Sequence, residues 1–556
     1  MKNRLTIAML VLSISTHAQI STFSDVRGAV TISPSGISGK ANRDSMRADN
    51  VALGAYALLN STGGNNTAIG MGSLRLNTSG TNNTATGTDA LGSNTTGGSN
   101  TALGSLSLNK NLGGNQNTAV GYWALSLNTG GHNNTALGAS ALLNNLSGGS
   151  NVAAGSGAMM LNMSGSQNIS LGYQAMYNNR SGSGNVAVGY RALFFSTVKH
   201  NNTAVGQEAL FNNSTGYSNT ALGNNTLKSN LGGYENTSVG DSALWSNTSG
   251  YENTALGVRS LMKNTTGIEN TAIGFQALLN STGYSNTALG NSALLLNTTG
   301  WANTATGKDA LYNNLTGFGN NANGEQALYN NTTGSHNSGS GKEALTNTTT
   351  GSYNVGMGNR TGTTNVIGSY NTFVGFLADA SASNLSNAMA LGAYAVVNAS
   401  NKVRIGSNSV TVIEGQVPWT NVSDRRLKEN IVYSSALGLE FISKLKTASY
   451  NFIADPTKTR HDGFIAQDIE ATMQELNIQF SGLKKADDGT YSLAYSDFVM
   501  PLVNAVKEQQ QQIQAQQSKL QAQQQQIETL QKQLARIEEL EKKLELMATN
   551  TITEKQ

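Results

Sequence analysis

The stretch Asn236–Glu252, NTSVGDSALWSNTSGYE, recurs with few changes along most of the chain and decides its fold. Its general form is N-T-A-L-G-x-x-A-L-x-x-N-t-t-G-x-x, and the first glycine of this unit recurs from Gly54 to Gly392. Of the 20 intervals between successive glycines, 18 are 17 residues long and two are 16. Self-similarity at so short a fixed period predicts a solenoid rather than a set of independent domains.

Each unit is too short for a pair of helices, and its repeated Gly and Asn residues disfavour helix. We predict two short strands and two turns per unit. In Thr254-Ala255-Leu256, alternation places Thr and Leu on one face and Ala on the other, and we assign threonine to the inward side. The pair Ala243-Leu244 adds a second apolar position to each unit. The N-t-t-G segment forms the turn that returns the chain to the next unit.

The core of one such unit is thin, because it holds only three or four apolar side chains and several of them are alanine. Several chains that pack together along an exposed apolar stripe would bury more apolar surface than one chain can. The pattern resembles the head repeats of trimeric autotransporter adhesins, which form a trimeric parallel β-roll. The period here is longer, and threonine stands where that family has valine. We therefore expect residues 54–406 to form a mainly β, parallel β-roll or solenoid, trimeric and on the order of 100 Å long.

Composition narrows the function classes and the location. The net charge of +3 is too small and dispersed to indicate nucleic-acid binding. Residues 1–18 read as a secretory signal peptide, followed by an N-terminal segment over 19–53, which predicts a secreted or cell-surface protein. The apolar run of this segment is too short to span a bilayer, and no later run approaches the length of about 18 residues that a membrane-spanning helix requires. The chain has no Cys, which excludes disulfides, and we expect neither metal nor cofactor.

The period fades after Gly392, and the C-terminal quarter is organised differently. We expect a linker over 407–422, a small α/β domain over 423–498, a helical coiled coil over 499–548 and a short tail over 549–556. Within the small domain we predict a helix at Leu437–Leu445, a strand at Ser449–Ile453 and a helix at Ile465–Met473. The heptads favour a parallel trimer but also allow a dimer. Position a holds Val499, Val506, Ile513, Leu520, Ile527 and Leu534; position d holds Leu502, Gln509, Gln516, Gln523, Leu530, Ile537 and Leu544.

Two motifs in this region resemble one known family. Ser423-Asp424-Arg425-Arg426-Leu427-Lys428 is similar to the start of the endosialidase-type intramolecular chaperone domain, found at the ends of phage tailspikes and tail fibres. Gly463-Phe464-Ile465-Ala466-Gln467 is similar to an internal signature of the same domain. The resemblance covers roughly residues 420–548. It implies that three chains assemble through this domain and that each chain then cuts itself in front of the serine.

The self-cleavage that the resemblance implies gives Ser423 and Lys428 catalytic roles. Ser423 would attack the Val422–Ser423 peptide bond, and Lys428 would remove the hydroxyl proton once burial favours its neutral form. The structural alternative is that Ser423 caps a helix and Lys428 is a solvated charge. Possible supporting residues are Asp424, Arg425, Arg426, His461 and Gln467, the first three of which also suit ion pairs that only hold the loop.

Together these patterns predict a secreted or surface homotrimeric fibre, similar to an adhesin, whose C-terminal chaperone is released by self-cleavage. The activity would be a Ser-Lys autopeptidase acting once in cis, with no external substrate. A surface glycan or another cell-surface ligand is the expected partner, and nucleic acid is not. The alternatives are a purely structural filament or phage-tail-fibre-like protein, a glycan-degrading tailspike, and an ice-binding protein with a regular threonine face. Calcium-binding nonapeptide repeats are disfavoured, because the units lack a regular aspartate.

Overall fold

A computed structural model describes residues 30–33, 36–39, 50–417, 419–453, 455, 457–486 and 489–553. The predicted signal peptide and most of the predicted N-terminal segment lie outside these residues. The chain divides into two compact units, one ending at Ile405 and the other beginning at Gly406.

The first unit alternates short strands, most of them three residues long, with turns. The strands are Val30–Ser33 (β1), Gly36–Gly39 (β2), Val51–Leu53 (β3), Thr67–Ile69 (β4), Thr84–Thr86 (β5), Thr101–Leu103 (β6), Thr118–Val120 (β7), Thr135–Leu137 (β8), Val152–Ala154 (β9), Ile169–Leu171 (β10), Val186–Val188 (β11), Thr203–Val205 (β12), Thr220–Leu222 (β13), Thr237–Val239 (β14), Thr254–Leu256 (β15), Thr271–Ile273 (β16), Thr287–Leu289 (β17), Thr304–Thr306 (β18), Asn321–Asn323 (β19), Ser338–Ser340 (β20), Val355–Met357 (β21), Thr372–Val374 (β22), Asp379–Ala380 (β23), Met389–Leu391 (β24), Val396–Val397 (β25) and Val403–Ile405 (β26).

The strands of successive units pair in parallel, which confirms the predicted β-solenoid. β14 pairs with β15 so that Thr237 lies beside Thr254, one 17-residue unit further on. In the shorter unit between β16 and β17 the offset is 16, from Thr271 to Thr287. Proline would break this ladder, because it lacks the N–H that each rung donates. Its absence between residues 54 and 392 agrees with that requirement.

The prediction of two strands per unit is wrong for most of the solenoid. Within the described repeats, a second pair of strands forms only between β23 and β25, near the C-terminal end of the solenoid. Elsewhere the A-L pair lies in a turn in which leucine adopts a left-handed backbone, as at Leu244 with φ of 49°. That backbone costs an L-residue roughly 1–2 kcal/mol. Leu244 is completely buried, and its amide N–H donates to Ser260 O, so packing and hydrogen bonding offset the cost.

The assignment of the strand threonines to the interior is also wrong. In β15 the middle residue, Ala255, is buried, while Thr254 is half-buried and Leu256 is exposed. The core is a column of these alanines packed against the leucines of the A-L pairs. Alanine suits the interior because the roll is narrow. The outer face of the ladder therefore carries one column of threonines and one column of aliphatic residues.

Two buried asparagine ladders run along the interior, and they account for the repeated Asn that we had assigned to turn chemistry alone. In the first, Asn236 Nδ2 donates to Gly250 O at 2.9 Å and to Asn219 Oδ1 at 3.1 Å. Its own Oδ1 accepts the Asn253 backbone N–H at 3.0 Å. In the second, Asn247 Nδ2 donates to Asn230 Oδ1 at 2.7 Å. Each asparagine thus satisfies backbone groups that no strand partner reaches.

Replacing Asn236 with alanine should strongly destabilise the solenoid. The change leaves the Asn253 N–H buried and unpaired, at about 1–3 kcal/mol. It also removes one of the two hydrogen bonds to Gly250 O, which keeps the one from Asn247 Nδ2 at 2.9 Å. We expect a clear fall in the guanidinium midpoint of unfolding. Asn224→Ala, at an exposed position of the neighbouring unit, is the matched control. Equal midpoints for the two variants would contradict a structural role for the ladder.

The second unit contains three helices and two small hairpins. The helices are Leu439–Lys444 (α1), Ala466–Leu476 (α2) and Val499–Thr553 (α3). The antiparallel pairs are Thr447–Asn451 (β27) with Arg460–Phe464 (β28), and Leu483–Lys485 (β29) with Tyr491–Leu493 (β30). Short 3-10 helices lie at Arg425–Leu427 and Tyr495–Phe498.

The three elements predicted between residues 437 and 473 all form, and β27 begins two residues earlier than expected. The small core of the second unit consists of Phe441, Ile469, Phe480 and Phe498. Within the described residues, no helix combines the length and apolarity that crossing a membrane requires.

Candidate functional site

A tight turn, fixed by Asp424, shapes the segment that begins at Ser423. Asp424 caps the first 3-10 helix, since its Oδ1 accepts the Arg426 N–H at 2.8 Å. Its carboxylate also accepts hydrogen bonds from Arg426 Nε at 3.0 Å and Nη2 at 2.6 Å. These hydrogen bonds hold the pKa of the Asp424 carboxyl below its usual range. Asp424 and Arg426 therefore pair with each other within one chain and stabilise the turn.

The turn brings the two predicted catalytic side chains together. Lys428 Nζ donates to Ser423 Oγ at 2.6 Å, although the two residues are five positions apart. The Lys428 N–H donates to Arg425 O, which closes the turn behind it. Asp424, rather than Ser423, occupies the capping position, so the alternative in which Ser423 caps the helix does not hold. An amine within hydrogen-bond distance of a serine hydroxyl has the geometry that a general base requires.

The dyad and its surroundings are open to solvent in the single chain. Ser423 and Lys428 are exposed, and Val422, on the other side of the predicted cleavage bond, is 82% exposed. A lysine acts as a base only in its neutral form, and solvent favours the charged form. The arrangement therefore supplies the correct contact but not the desolvation that would activate it.

The remaining predicted supporting residues contribute differently. Arg425 begins the 3-10 helix and offers its carbonyl to the turn. His461 lies on β28, with its ring against Tyr450 and Phe452, and its described contacts are with these rings rather than with the dyad. Gln467 is the second residue of α2. The described residues contain no group of His, Asp or Glu arranged to hold a metal ion.

The Gly463-to-Gln467 motif forms the corner between β28 and α2. The Phe464 N–H donates to Tyr495 Oη at 3.0 Å, and the Phe464 ring stacks on Phe498 with centroids 5.1 Å apart. A Cβ at Gly463 would lie 2.2 Å from Tyr495 Oη, so any side chain here would displace that phenol. The glycine therefore permits the close approach of the Tyr495 phenol to this corner.

Gly463→Ala should destabilise the second unit, because the new methyl group overlaps Tyr495 Oη. Tyr495→Phe removes that oxygen, so the double variant should recover part of the stability that Gly463→Ala loses, despite losing the hydrogen bond to Phe464. Thermal unfolding of the wild type, both single variants and the double variant measures this coupling. Purely additive losses would show that the phenol oxygen is not the obstacle.

Residues of α3 hold the segment that follows the dyad, and the sequence did not single them out. Glu508 Oε2 accepts the Leu439 N–H at 2.8 Å, at the beginning of α1. Asn504 Nδ2 donates to Leu437 O at 3.2 Å. Neither residue belongs to the a or d positions, and only contacts between positions nearly 70 residues apart reveal them. The start of α3 is thereby part of the small domain.

The fold and this corner define a β-solenoid protein that ends in a small α/β domain with a long helix. Comparison with known families then finds one similarity: residues 423–478 match the family model described as chaperone of endosialidase. The match begins at Ser423 and includes both quoted motifs, which confirms the resemblance. A search of curated proteins found no match to the chain.

Proposed function

We propose that this protein is a secreted or cell-surface homotrimeric fibre whose C-terminal domain directs trimerisation and is then released by self-cleavage at Val422–Ser423. The observation that carries the proposal is the 2.6 Å contact between Lys428 Nζ and Ser423 Oγ, at the first residue of the family match. The signal-like sequence at residues 1–18 supports export. A surface glycan or another cell-surface molecule is the proposed ligand of the solenoid.

The cleavage chemistry follows from the position of Ser423 beside the bond to be cut. Neutral Lys428 takes the Oγ proton, and Oγ attacks the Val422 carbonyl carbon through a five-membered ring. The C–N bond then breaks, the Ser423 nitrogen leaves as an amine after gaining a proton, and an ester joins Val422 to Oγ. Water hydrolyses that ester, which frees the Val422 carboxylate and restores the serine hydroxyl.

Trimerisation would remove water from around Ser423 and Lys428. It would also give the exposed apolar residues of α3 and of the solenoid partners in the other two chains. The a and d residues of α3 are exposed in the single chain, and Ile527, Leu530, Leu534 and Ile537 line a shallow apolar depression on it. Burying this seam is the usual driving force of a coiled coil. The aliphatic column of the solenoid, including the exposed Leu103, Leu137 and Leu256, offers a second surface for partner chains.

Intact mass of the secreted product tests this proposal directly. We expect one polypeptide that ends at Val422, with its signal peptide removed, and a second that begins at Ser423. Sedimentation should give a trimer for the first. An uncut chain that is nevertheless a folded trimer would refute self-cleavage, and a folded monomer would refute the trimer.

The outward threonines favour one second candidate, an ice-binding surface. Thr203, Thr220, Thr237, Thr254 and Thr271 follow one another at the spacing of the rungs on the outer face. The same face would be covered by partner chains in the proposed trimer. Thermal hysteresis measured on the processed protein distinguishes the ice-binding surface from the trimeric fibre. Its presence would support ice binding, and its absence would support the fibre.

A further inference from the structure

The second asparagine ladder is interrupted at Ser196. In regular units, each asparagine of this column donates to the one before it, as Asn230 Nδ2 does to Asn213 Oδ1 at 2.8 Å. At Ser196 this link is lost. Asn179 Oδ1 and Ser196 Oγ are both buried and have no hydrogen-bond partner. Buried polar groups without partners lower the stability of the structure around them.

Other substitutions in this column keep the hydrogen bond from the following asparagine, and the preceding asparagines find other partners: Asn264 Oδ1 accepts the Gly267 N–H at 2.9 Å, and Asn331 Oδ1 accepts from Asn337 Nδ2 at 3.5 Å. Ser61 and Ser281 belong to the two 16-residue units, and their hydroxyls accept from Asn77 Nδ2 at 2.9 Å and Asn297 Nδ2 at 3.0 Å. Thr348 accepts from Asn365 Nδ2 at 3.4 Å. Ser196 lies in a full-length unit, in which the shorter side chain does not reach its neighbours. A serine alone therefore does not explain the break.

A second change accompanies Ser196. Lys199 occupies a position that is glycine in almost every other unit, as at Gly216. A Cβ at Gly216 would lie 2.2 Å from Asn213 Oδ1 of its own unit and 2.3 Å from Gly233 O of the next rung. Ser196 in place of asparagine removes the first of these overlaps for Lys199. The second overlap requires the backbone to move away from the next rung.

The backbone hydrogen bonds of this rung agree with such a displacement. One unit earlier, the Arg180 N–H donates to Thr197 O at 2.8 Å, and the Ser181 N–H donates to the same oxygen at 3.2 Å. Among the described residues, the N–H groups of Thr197 and Val198 have no corresponding backbone acceptor, and the same holds for Thr265 and Thr266, where the next unit is one residue shorter. The unit that follows Ser196 has the full length, so a change in unit length does not account for the gap there. Val198 is exposed, so water can reach the gap.

We propose that the rung at residues 196–200 opens locally and that the Lys199–His200 bond is the preferred proteolytic site of the solenoid for trypsin-like proteases. The protease adds water across this peptide bond, which leaves a carboxylate on Lys199 and an amine on His200. Local opening is needed because a protease binds its substrate as an extended chain, which a closed rung cannot supply. This site is independent of the proposed self-cleavage.

Limited trypsin digestion of the full chain, with fragments followed by mass, tests the proposal. Arg180 is the matched comparison, because it lies in the equivalent turn one unit earlier and is more exposed than Lys199. If solvent exposure alone decided the order of cutting, trypsin would cut first after Arg180. Local opening predicts that cutting after Lys199 is at least about tenfold faster. Equal rates, or earlier cutting after Arg180, would overturn the proposal.

Hydrogen exchange gives a second measurement that needs no protease. The Thr197 and Val198 amides should exchange at least about tenfold faster than those of Arg180 and Ser181. The double variant Ser196→Asn, Lys199→Gly restores the regular unit and should slow the exchange to the rate of its neighbours. Ser196→Asn alone should not, because the new amide meets the Lys199 Cβ. Failure of the double variant to fold, or to slow the exchange, would contradict the proposed cause.

Discussion

Ser423→Ala and Lys428→Ala should each yield a full-length chain that remains trimeric and is not cut. Alanine at 423 removes the nucleophile, and alanine at 428 removes the amine that contacts Ser423 Oγ at 2.6 Å. Loss of a nucleophile or its base lowers such a reaction by several orders of magnitude, so no product should accumulate within hours. Denaturing gels and intact mass give the readout.

Two control variants separate this effect from a general disturbance of the domain. Ser435→Ala and Lys446→Ala alter exposed residues of the same unit that lie outside the turn. Both should be cut like the wild type. Sedimentation must show a trimer for all four variants, because an unassembled chain would not test the dyad. Efficient cutting of either Ser423→Ala or Lys428→Ala would remove that residue from the mechanism.

A chain truncated after Val422 should give misregistered or insoluble material, whereas the same polypeptide released by self-cleavage should stay soluble and trimeric. The units are nearly identical, so sliding one chain past another by a whole unit keeps most contacts. Nothing in the repeats selects one alignment strongly. In the proposed function, the terminal domain would select it from outside and would hold the three chains at high local concentration.

The comparison requires equal concentrations and the same final polypeptide. The measurements are the yield of soluble protein, the sedimentation coefficient and the unfolding midpoint in guanidinium. Denaturing the processed trimer and refolding it without the terminal domain is an internal control, and it should fail in the same way as the truncated chain. Uniform trimers of normal stability from the truncated chain would show that residues 423–556 are not a folding chaperone.

The sequence by itself determined the repeat, its parallel stacking and the family that the terminal domain resembles. Periodicity is sufficient for the repeat and its stacking, because a short unit that recurs at a nearly constant 17 residues indicates a solenoid, and the absence of proline suits a continuous ladder. It also placed Ser423 and Lys428 in one motif, and the spacing proved short enough for a single turn to join them. The helix, strand and helix of the small domain followed from local patterns of apolar residues.

Only the tertiary structure decided which side of each unit is inside. Alternation in Thr254-Ala255-Leu256 defines two faces, but the narrow roll selects alanine for the interior and turns threonine and leucine outward. Three other features could not be predicted from the sequence for a related reason. They are the inner asparagine ladders, the contact of Gly463 with Tyr495 and the break at Ser196. Each depends on atoms that meet across rungs or across distant parts of the chain. A linear pattern specifies how often a residue recurs, whereas its partners depend on the path of the folded backbone.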